Sequence, residues 1–259
     1  MSTTSSIEWT EQTWNPTVGC TKVSPGCKFC YAEVMARRLK AMGVDAYKNG
    51  FRLTLLPERL REPLLRSKPT TYFVNSMSDL FHEGVPDSFL RRVFEVIEQS
   101  PQHTFQILTK RAERLPIFFK TYRPPRNAWI GVSVEDKQYG LPRIDQLRAA
   151  NVQTRFLSIE PLLEDLGKFN LRGIDWVIVG GESGPKARPM KREWVLNIKR
   201  QCDQREIPFF FKQWGAWGPD GKKRSKHANG RRLLGRLWDQ LPDVPAEPVR
   251  TPVGAFAKP

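Results

Sequence analysis

The sequence predicts an α/β fold built on a mostly parallel sheet, and three observations support this. Short apolar runs alternate with amphipathic stretches along most of the chain. The runs are apolar almost throughout, as in strands that are buried on both faces. No tandem repeat or long linker interrupts the alternation, and 259 residues are enough for a large core. We therefore predict a single α/β domain over residues 1–243.

Six strands are predicted after residue 70. They are residues 71–75, 104–109, 128–134, 154–159, 175–180 and 208–214.

Helices are predicted between and before these strands. They are residues 31–42, 58–66, 87–100, 112–121, 140–150 and 191–205. In the helix over 87–100, Asp87 or Ser88 is the expected N-cap. The apolar residues of its buried stripe are Leu90, Val93, Phe94 and Ile97.

The C-terminal region differs in character from the rest of the chain. Residues 222–232 carry six Lys or Arg, which either contact nucleic acid or form a solvated basic face. Residues 244–259 are Pro-rich and unpatterned, and we expect them to form a disordered tail.

Polar and charged residues recur where the predicted strands end. In parallel α/β folds, the carboxyl ends of the strands meet at one edge, where binding sites are built. We therefore expect these residues to line a single cup. They are Asn75, Ser76, Ser78, Asp79, Lys110, Arg111, Ser133, Glu135, Glu160, Gly180, Gly181, Glu182, Ser183, Lys212 and Gln213.

The net charge points to an anionic partner. The chain has 42 Lys and Arg against 27 Asp and Glu, which gives a formal charge of +15. This favours nucleic acid or a nucleotide, although a generally solvated basic surface is the alternative. The chain has no signal-peptide pattern and no membrane-length apolar run, so we expect a cytoplasmic protein without a membrane partner.

Three of the four cysteines, Cys20, Cys27 and Cys30, lie within eleven residues. This crowding favours a metal in a reducing compartment over a disulfide framework. A structural zinc site would need a fourth, distant ligand. A redox pair of Cys27 and Cys30 would leave the third thiol unexplained. A 4Fe-4S cluster held by three thiolates would leave one iron open to a small molecule.

A family resemblance rests on these cysteines. The run CKFC, followed at once by a predicted helix, resembles the cluster loop of radical S-adenosylmethionine (radical SAM) enzymes, with a longer first gap than usual. The whole chain also resembles an uncharacterised, phage-associated family with three cysteines that is regarded as radical-SAM-like. The segments that carry this resemblance are IEWTEQTWNPTVGC, CKFCYAE, VNSMSDLFHEGVP, ILTKR, GVSVED, SIEPLL, VGGESG, FFFKQWG and GRLWDQLP.

The resemblance implies a partial (β/α)6-type, TIM-like barrel with its cluster loop, residues 19–31, after the first strand. A weak first strand must then lie within residues 8–19. The implied cofactors are a 4Fe-4S cluster on Cys20, Cys27 and Cys30 and S-adenosylmethionine, and the implied electron donor is a protein such as flavodoxin or ferredoxin. The cluster would cleave S-adenosylmethionine reductively to a radical that abstracts hydrogen from the substrate. Phe29 would shield the cluster.

Roles for the other cup residues follow from the same resemblance. Asn75, Ser76, Ser78 and Asp79 are expected to hold the methionine end of the cofactor. Gly180 and Gly181 are expected to let the backbone approach the nucleoside while Glu182 binds the cofactor elsewhere, and Ser133 and Glu135 are expected to hold the ribose.

Four charged residues of the cup are the candidate catalytic groups. They are Glu135, Glu160, Lys110 and Lys212. The cations Lys110, Arg111 and Lys212 either bind a phosphate or carboxylate or simply pair with neighbouring carboxylates. Phe81 and Trp214 either stack on a base or belong to the core.

The resulting hypothesis is a radical-SAM-type enzyme that acts on nucleic acid or a nucleotide-derived substrate. The alternative is a non-enzymatic nucleic-acid-binding protein with a structural zinc or iron–sulfur site. A third interpretation is a relative that keeps the cluster without the cofactor chemistry. The sequence leaves the substrate and the oligomeric state open.

Overall fold

A computed structural model describes residues 3–5 and 7–243 of the chain. Its main sheet has eight strands in the order β1-β2-β5-β6-β7-β8-β9-β10, and β3 pairs with β4 in a separate sheet. The strands are β1 (Thr3–Thr4), β2 (Gln12–Thr13), β3 (Thr17–Val18), β4 (Thr54–Leu55), β5 (Thr71–Val74), β6 (Thr104–Thr109), β7 (Ala128–Ser133), β8 (Thr154–Ile159), β9 (Trp176–Gly180) and β10 (Phe209–Gln213).

The helices follow the strands in the predicted alternation. They are α1 (Tyr31–Ala41), α2 (Asp87–Glu98), α3 (Arg114–Thr121), α4 (Gly140–Ala149), α5 (Arg192–Asp203) and α6 (Lys226–Asn229). None of the helices in the described part of the chain is long and apolar enough to cross a membrane.

Seven of the strands, β2 and β5 to β10, are parallel and curl into a half-barrel. This confirms the predicted partial, TIM-like barrel. The weak first strand is also confirmed: β2 pairs with β5, with Gln12 opposite Tyr72 and Thr13 opposite Phe73. It completes the half-barrel on one side, while the short β1 adds an antiparallel edge.

The strands bury both faces, as their apolar runs predict. On the outer face, the helices pack against the sheet and form the main core, which includes the predicted α2 stripe of Leu90, Val93, Phe94 and Ile97. On the inner face, aromatic side chains fill the amino-terminal half of the barrel. They are Trp9, Phe73, Trp129, Phe156, Trp176 and Phe210.

Two local predictions are wrong. Residues 58–66 do not form a helix but contain two short 3-10 turns, Pro57–Arg59 and Pro63–Leu65. Pro63 has no backbone N–H and clashes with the preceding turn, so a continuous helix cannot pass through it. Neither Asp87 nor Ser88 caps α2; Pro86 occupies that position, and Asp87 instead accepts a 2.7 Å hydrogen bond from Arg114.

Two further predictions concern the C-terminal tail and the bounds of the domain. The expected tail at residues 244–259 lies outside the described residues. The single domain over residues 1–243 stays a prediction.

Candidate functional site

The carboxyl ends of the parallel strands meet at one edge of the half-barrel. Their register brings Ser133 of β7 opposite Ser158 of β8, and Gln213 of β10 opposite Gly180 of β9. The polar residues that follow the strands therefore lie together here.

Two lysines in this region pair with carboxylates. The Lys212 ammonium lies 2.8 Å and 2.9 Å from the two oxygens of Glu160. The Lys110 ammonium lies 3.7 Å from Glu135. The sequence left two roles open for these lysines, binding of a ligand's phosphate or carboxylate and pairing with neighbouring carboxylates. The structure shows the pairing.

The cysteine loop, residues 19–30, is fixed to the sheet at its start. The Gly19 amide donates to the Met77 carbonyl, and the Cys20 amide donates to Phe51, both at 3.0 Å. Gly19 has a φ of +80°, and a Cβ there would lie 2.1 Å from the Arg52 carbonyl oxygen. A side chain at position 19 would therefore push the loop off the sheet.

Glu135, which follows β7, contacts the middle of the cysteine loop at Ser24 and Gly26. Its carboxylate is fully buried, accepts a hydrogen bond from the Ser24 hydroxyl and pairs with Arg143 at 2.6 Å. A Cβ on Gly26 would lie 2.9 Å from the same carboxylate, so the loop backbone rests directly on it. Ser24 also lies 3.7 Å from the sulfur of Cys27. The charge of Glu135 is thus connected to a cysteine through one hydroxyl.

Glu135 stays ionised although it is buried. Burial on its own raises the pKa of a carboxyl group. The cations Lys110 and Arg143, together with the hydrogen bond from Ser24, outweigh this effect and hold the pKa of Glu135 below its ordinary value. The predicted role of Glu135 in ribose binding and catalysis stays a prediction.

Arg111 joins the first cysteine to the end of β5. Its guanidinium is almost fully buried and donates to the sulfur of Cys20 at 3.4 Å and to Asp79 at 3.2 Å. It also donates to Thr21 at 2.7 Å and to Glu83 at 2.7 Å. Arg111 is therefore a buried brace of the cysteine loop.

Asp79 is engaged by protein donors on both of its oxygens. One oxygen accepts from the Thr109 hydroxyl and the Phe81 amide, and the other accepts from the Lys110 amide and Arg111. These bonds fix the turn after β6 to the turn after β5. The predicted contact of Asp79 with the cofactor stays a prediction.

The thiol of Cys20 is stabilised in its protonated form. Burial is the largest effect, and the charge of Asp79 adds to it, while Arg111 opposes both. Together they raise the pKa of Cys20 to about 11. Since a metal binds the thiolate, ligation at Cys20 would release a proton.

Arg188 connects Glu182 to the cysteine loop. It binds Glu182 with both ends of its guanidinium, at 2.8 Å and 2.5 Å. The same guanidinium donates to the Pro25 carbonyl at 3.1 Å and lies 5.4 Å from the ring centre of Phe29. Glu182 is thus connected to the cysteine loop through Arg188.

The residues after β5 are tied to the segment that precedes the cysteine loop. The Asn75 side-chain amide donates to Thr17 at 2.6 Å and to Ser78 at 2.8 Å, and Ser76 exchanges hydrogen bonds with Asn15. The other side-chain atom of Asn75, its Oδ1, is buried and has no hydrogen-bond partner among the described residues. An unpaired buried acceptor of this kind fits a donor group of a bound molecule.

Gly181, directly after β9, is required by a close backbone contact, and Gly180, the last residue of β9, lies tightly against a side chain. A Cβ on Gly181 would lie 2.0 Å from the Trp214 carbonyl oxygen, and one on Gly180 would lie 3.2 Å from the Glu160 carboxyl carbon. Trp214 and Phe81 are fully buried, and the Trp214 indole donates to the Arg232 carbonyl at 2.9 Å. Both aromatic residues therefore belong to the core.

All four cysteines are free thiols, and the three in the loop are half-buried. Within residues 3–5 and 7–243, no three His, Cys, Asp or Glu side chains gather where one metal ion could be held. His82 uses both ring nitrogens, toward Thr21 and the Gly84 amide, and Cys202 lies in the helix-side core. In a 4Fe-4S cluster, each thiolate binds a different iron, so the sulfurs need not meet at a point. Three thiols on one loop fit such a group.

Three residues of the site were missed in the sequence. Ser24, Arg143 and Arg188 each hold the cysteine loop directly or through a carboxylate. A buried arginine on α4 breaks that helix's amphipathic pattern, and this was the available signal for Arg143. The other two stand in loops, where periodicity carries no information.

Several solved structures of spore photoproduct lyase are similar to this chain at low identity. A cysteine-to-serine variant has 14% identity and a TM-score of 0.48, and covers 70% of this chain and 58% of its own. A complex with dinucleoside spore photoproduct has 12% identity and a TM-score of 0.48, with coverages of 79% and 64%. A double variant with bound AdoMet and the dinucleoside has 12% identity and a TM-score of 0.45, with the same coverages. The matched part thus spans about three fifths of the lyase.

No curated protein matches this sequence. A family model does, and it covers residues 4–242, which is nearly the whole described chain. The chain belongs to this family, DUF5131, whose description is a protein of unknown function.

Proposed function

We propose that this protein is a radical-SAM-type iron–sulfur enzyme that acts on nucleic acid or a nucleotide-derived substrate. The observation that carries the proposal is the cysteine loop. Three free thiols stand on one braced loop, next to the polar edge of a parallel half-barrel. Three protein ligands leave one iron of a 4Fe-4S cluster open to a cofactor.

The metal ligands in this proposal are Cys20, Cys27 and Cys30. When bound, the cluster would supply an open iron for chelating S-adenosylmethionine and an electron for its reductive cleavage. The protein's own residues orient the loop, bind the cofactor and substrate, and exclude water.

Orientation of the loop depends on charged groups that are already paired. Arg111 fixes Cys20, Glu135 with Ser24 fixes the turn at Cys27, and Arg188 holds the Pro25 carbonyl. These contacts are preorganised, so the loop does not have to be ordered when its ligands bind a metal.

Binding of the cofactor's amine is assigned to Asn75. Its buried Oδ1 lacks a partner among the described residues and can accept a hydrogen bond from an ammonium group. Ser76, Ser78 and the turn at Asp79 support this position, because they hold the chain after β5 against Asn15 and Thr17.

Lys212 and Glu160 are assigned to the reacting end of the cup. Their side chains are 15% and 19% exposed, so the pair is accessible from the cup although each group is neutralised by the other. An anionic group that displaces Glu160 could bind the Lys212 ammonium, and a hydrogen-bond donor could bind the Glu160 carboxylate. Lys110 and Glu135 form the second pair, in which the carboxylate is fully buried.

Water is excluded from below by the aromatic layer of the inner face. Trp176 is fully buried and contacts the rings of Trp9, Trp129, Phe156 and Phe210 at centroid distances between 5.8 Å and 6.2 Å. This layer closes the floor of the half-barrel, so that a reactive species formed above it would meet protein and substrate.

The proposal is tested by anaerobic reconstitution of the full chain with iron and sulfide. We expect about four irons and four sulfides per chain and reductive cleavage of S-adenosylmethionine. Cys27→Ala should abolish both. Cys202→Ala is the matched control, because this thiol is buried in the helix-side core, and it should keep the iron. One zinc per chain without sulfide would overturn the proposal.

The second candidate is a nucleic-acid-binding protein without catalysis, in which the cysteines only brace the loop. It is favoured by the ion pairs of Glu135 and Glu182, which brace that loop as found. It predicts nucleic-acid binding that survives Glu160→Gln with no turnover in either form. Turnover that this substitution abolishes, with binding intact, would exclude it.

Three further points belong to the proposal. The free thiols support a reducing compartment, which we take to be the cytoplasm. The electron donor is proposed to be a small redox protein such as flavodoxin or ferredoxin. The association of the family with phages stays a prediction.

A further inference from the structure

The basic segment over residues 222–232 is held against the rim of the half-barrel. The Trp217 indole, just before it, donates to the Ala187 carbonyl at 2.7 Å, and Trp217 and Lys223 form an antiparallel bridge. Within the segment, the Asn229 amide donates to the Gly215 carbonyl at 3.0 Å. Its cations are therefore presented from an anchored loop.

This segment and the turn after β9 enclose a cleft of about 460 Å³. One wall is formed by Ser183, Gly184 and Pro185, and the other by residues 223–226. The volume lies within the range of ligand pockets, ~300–1,000 Å³. The cleft is shallow and open to solvent, and its charged groups come from the wall formed by residues 223–226.

The charges of the cleft are positive and only partly neutralised. Lys223, Arg224 and Lys226 line it, and none of its lining residues in the described part of the chain is acidic. Arg224 is paired with Asp220 at 2.6 Å and 2.8 Å. The Lys223 ammonium donates to the Pro185 carbonyl and lies 5.6 Å from the ring centre of Trp217, and neither of these groups carries a negative charge. The cleft thus offers two ammonium charges for an anion.

The cleft lies beside the cup. Ser183, on its wall, follows Glu182, and Glu182 is joined through Arg188 to the Pro25 carbonyl of the cysteine loop. The Ser183 hydroxyl also accepts a hydrogen bond from Gln213, at the end of β10, at 3.1 Å. A linear anion in the cleft would therefore pass directly beside the cup.

We infer that this cleft binds the sugar-phosphate backbone of a single-stranded nucleic acid and so positions it beside the cup. The inference deepens the proposed function, on which it rests for the identity of the substrate. The Lys223 and Lys226 ammonium groups can each contact a phosphate, and the Ser183 and Ser225 hydroxyls on the two walls can bond sugar hydroxyls or phosphate oxygens. Contacts of this kind give affinity and position rather than base specificity.

The test is binding of a short, mixed-sequence single-stranded DNA oligonucleotide to the full chain, measured by fluorescence anisotropy over a salt series. In Lys223→Gln/Lys226→Gln, the Kd should rise roughly tenfold, and the slope of log K against log salt should fall by about 1.4, which is two phosphate contacts at ~0.7 each. Thermal unfolding checks that the variant is folded.

The matched control is Lys68→Gln/Lys120→Gln. It removes the same charge away from the cleft, where Lys68 precedes β5 and Lys120 lies in the last turn of α3. Its salt slope should stay as in the unaltered chain, apart from a small general effect. Equal losses in the two double variants would overturn the inference. So would the absence of salt-dependent binding by the unaltered chain, or binding only to anionic phospholipid vesicles.

The outcome is separable from the test of the proposed function. Binding is measured on the chain both before and after reconstitution, and it requires no iron. If the chain takes up no cluster but the cleft variant loses oligonucleotide binding, the cleft inference stands and the proposed radical chemistry fails. If the chain is reconstituted as an active enzyme but the cleft variant binds the oligonucleotide normally, the proposed function stands and the cleft inference fails.

Discussion

The two ends of the half-barrel interior use the same strands for opposite purposes. On β9, the inward position is Trp176 at the amino-terminal end and Gly180 at the carboxyl end. On β10, Phe210 is followed two residues later by Lys212, which pairs with Glu160. A pleated strand sends every second residue to the same side, so one strand supplies both a dry floor and a charged rim.

The comparison shows how a fixed scaffold and a reactive site share one chain. In the floor, rings pack against rings and stability comes from burial and shape. At the rim, each buried charge has a partner, and the partners connect the cysteine loop to four different strand ends. Substitutions in the aromatic layer should therefore lower the free energy of unfolding of the whole protein. Substitutions of the charged residues at the carboxyl ends of the strands should free the cysteine loop while the barrel stays folded.

The largest effect is expected in the floor. Trp176→Ala removes a fully buried indole that contacts four other rings, and should lower the free energy of unfolding by about 3–5 kcal/mol. Denaturant titration measures this. Trp194→Ala deletes the same side chain where it is only partly buried on α5, and should cost much less. Equal losses would mean that the inner layer is not a packed core.

The next effect is expected at the buried carboxylate of the rim. Glu135→Gln leaves Arg143 and Lys110 without a counter-charge, at a cost of about 2–3 kcal/mol. The cysteine loop should loosen, so that Cys27 reacts faster with a thiol reagent than in the unaltered chain. Arg143→Met should act in the same direction, and the double variant should lose less than the sum of the two. Unchanged reactivity would show that the loop does not depend on this pair.

Acid should release the same loop. The pKa of Glu135 lies below its ordinary value of 4.5, so its ionised form contributes stability above that value. This contribution is lost as the pH falls through the depressed folded-state pKa. Thiol reactivity at Cys27, followed with a reagent that works in acid, should rise below about pH 4.5. The rise should be absent from Glu135→Gln, and an identical acid profile in both proteins would contradict the assignment.

The smallest effect on stability is expected at the open pair. Lys212→Met or Glu160→Gln breaks a pair that is partly exposed, and each should change the free energy of unfolding by less than about 1 kcal/mol. Binding of S-adenosylmethionine or substrate to the reconstituted chain should nevertheless weaken about tenfold, the worth of one charged hydrogen bond. Calorimetry measures both terms. A large loss of stability with normal binding would place the pair in the scaffold.

Much of the fold could be predicted because its signals are local. Apolar runs identified the strands, and the amphipathic stripe of α2 identified its buried face, since periodicity reports burial directly. The failed helix over 58–66 shows the limit: its apolar spacing is helical, but Pro63 decides the backbone. The polar residues that follow the strands lie at one edge of the sheet, because parallel strands share one direction, and their role as a binding site stays a prediction.

What the sequence could not supply was the partner of each charge. It placed Glu135 and Glu182 at one edge together with Lys110 and Arg111. It did not show that Arg143 reaches Glu135 from α4, or that Arg188 reaches Glu182 from a loop. Ion pairs at this range depend on where separate segments meet, and no spacing in the chain encodes that.

The sequence by itself determined the alternation of strands and helices in a mostly parallel α/β fold, the three clustered thiols and the strong basic charge, because each is written in neighbouring residues or in composition, while the half-barrel was implied by the family resemblance. The tertiary structure alone decided that most cup charges neutralise one another, that the buried Oδ1 of Asn75 has no partner within residues 3–5 and 7–243, and that the basic segment forms the wall of a cleft. The physical reason is that pairing, burial and enclosure are properties of groups brought together in space. A chain read in order does not contain the distances between them.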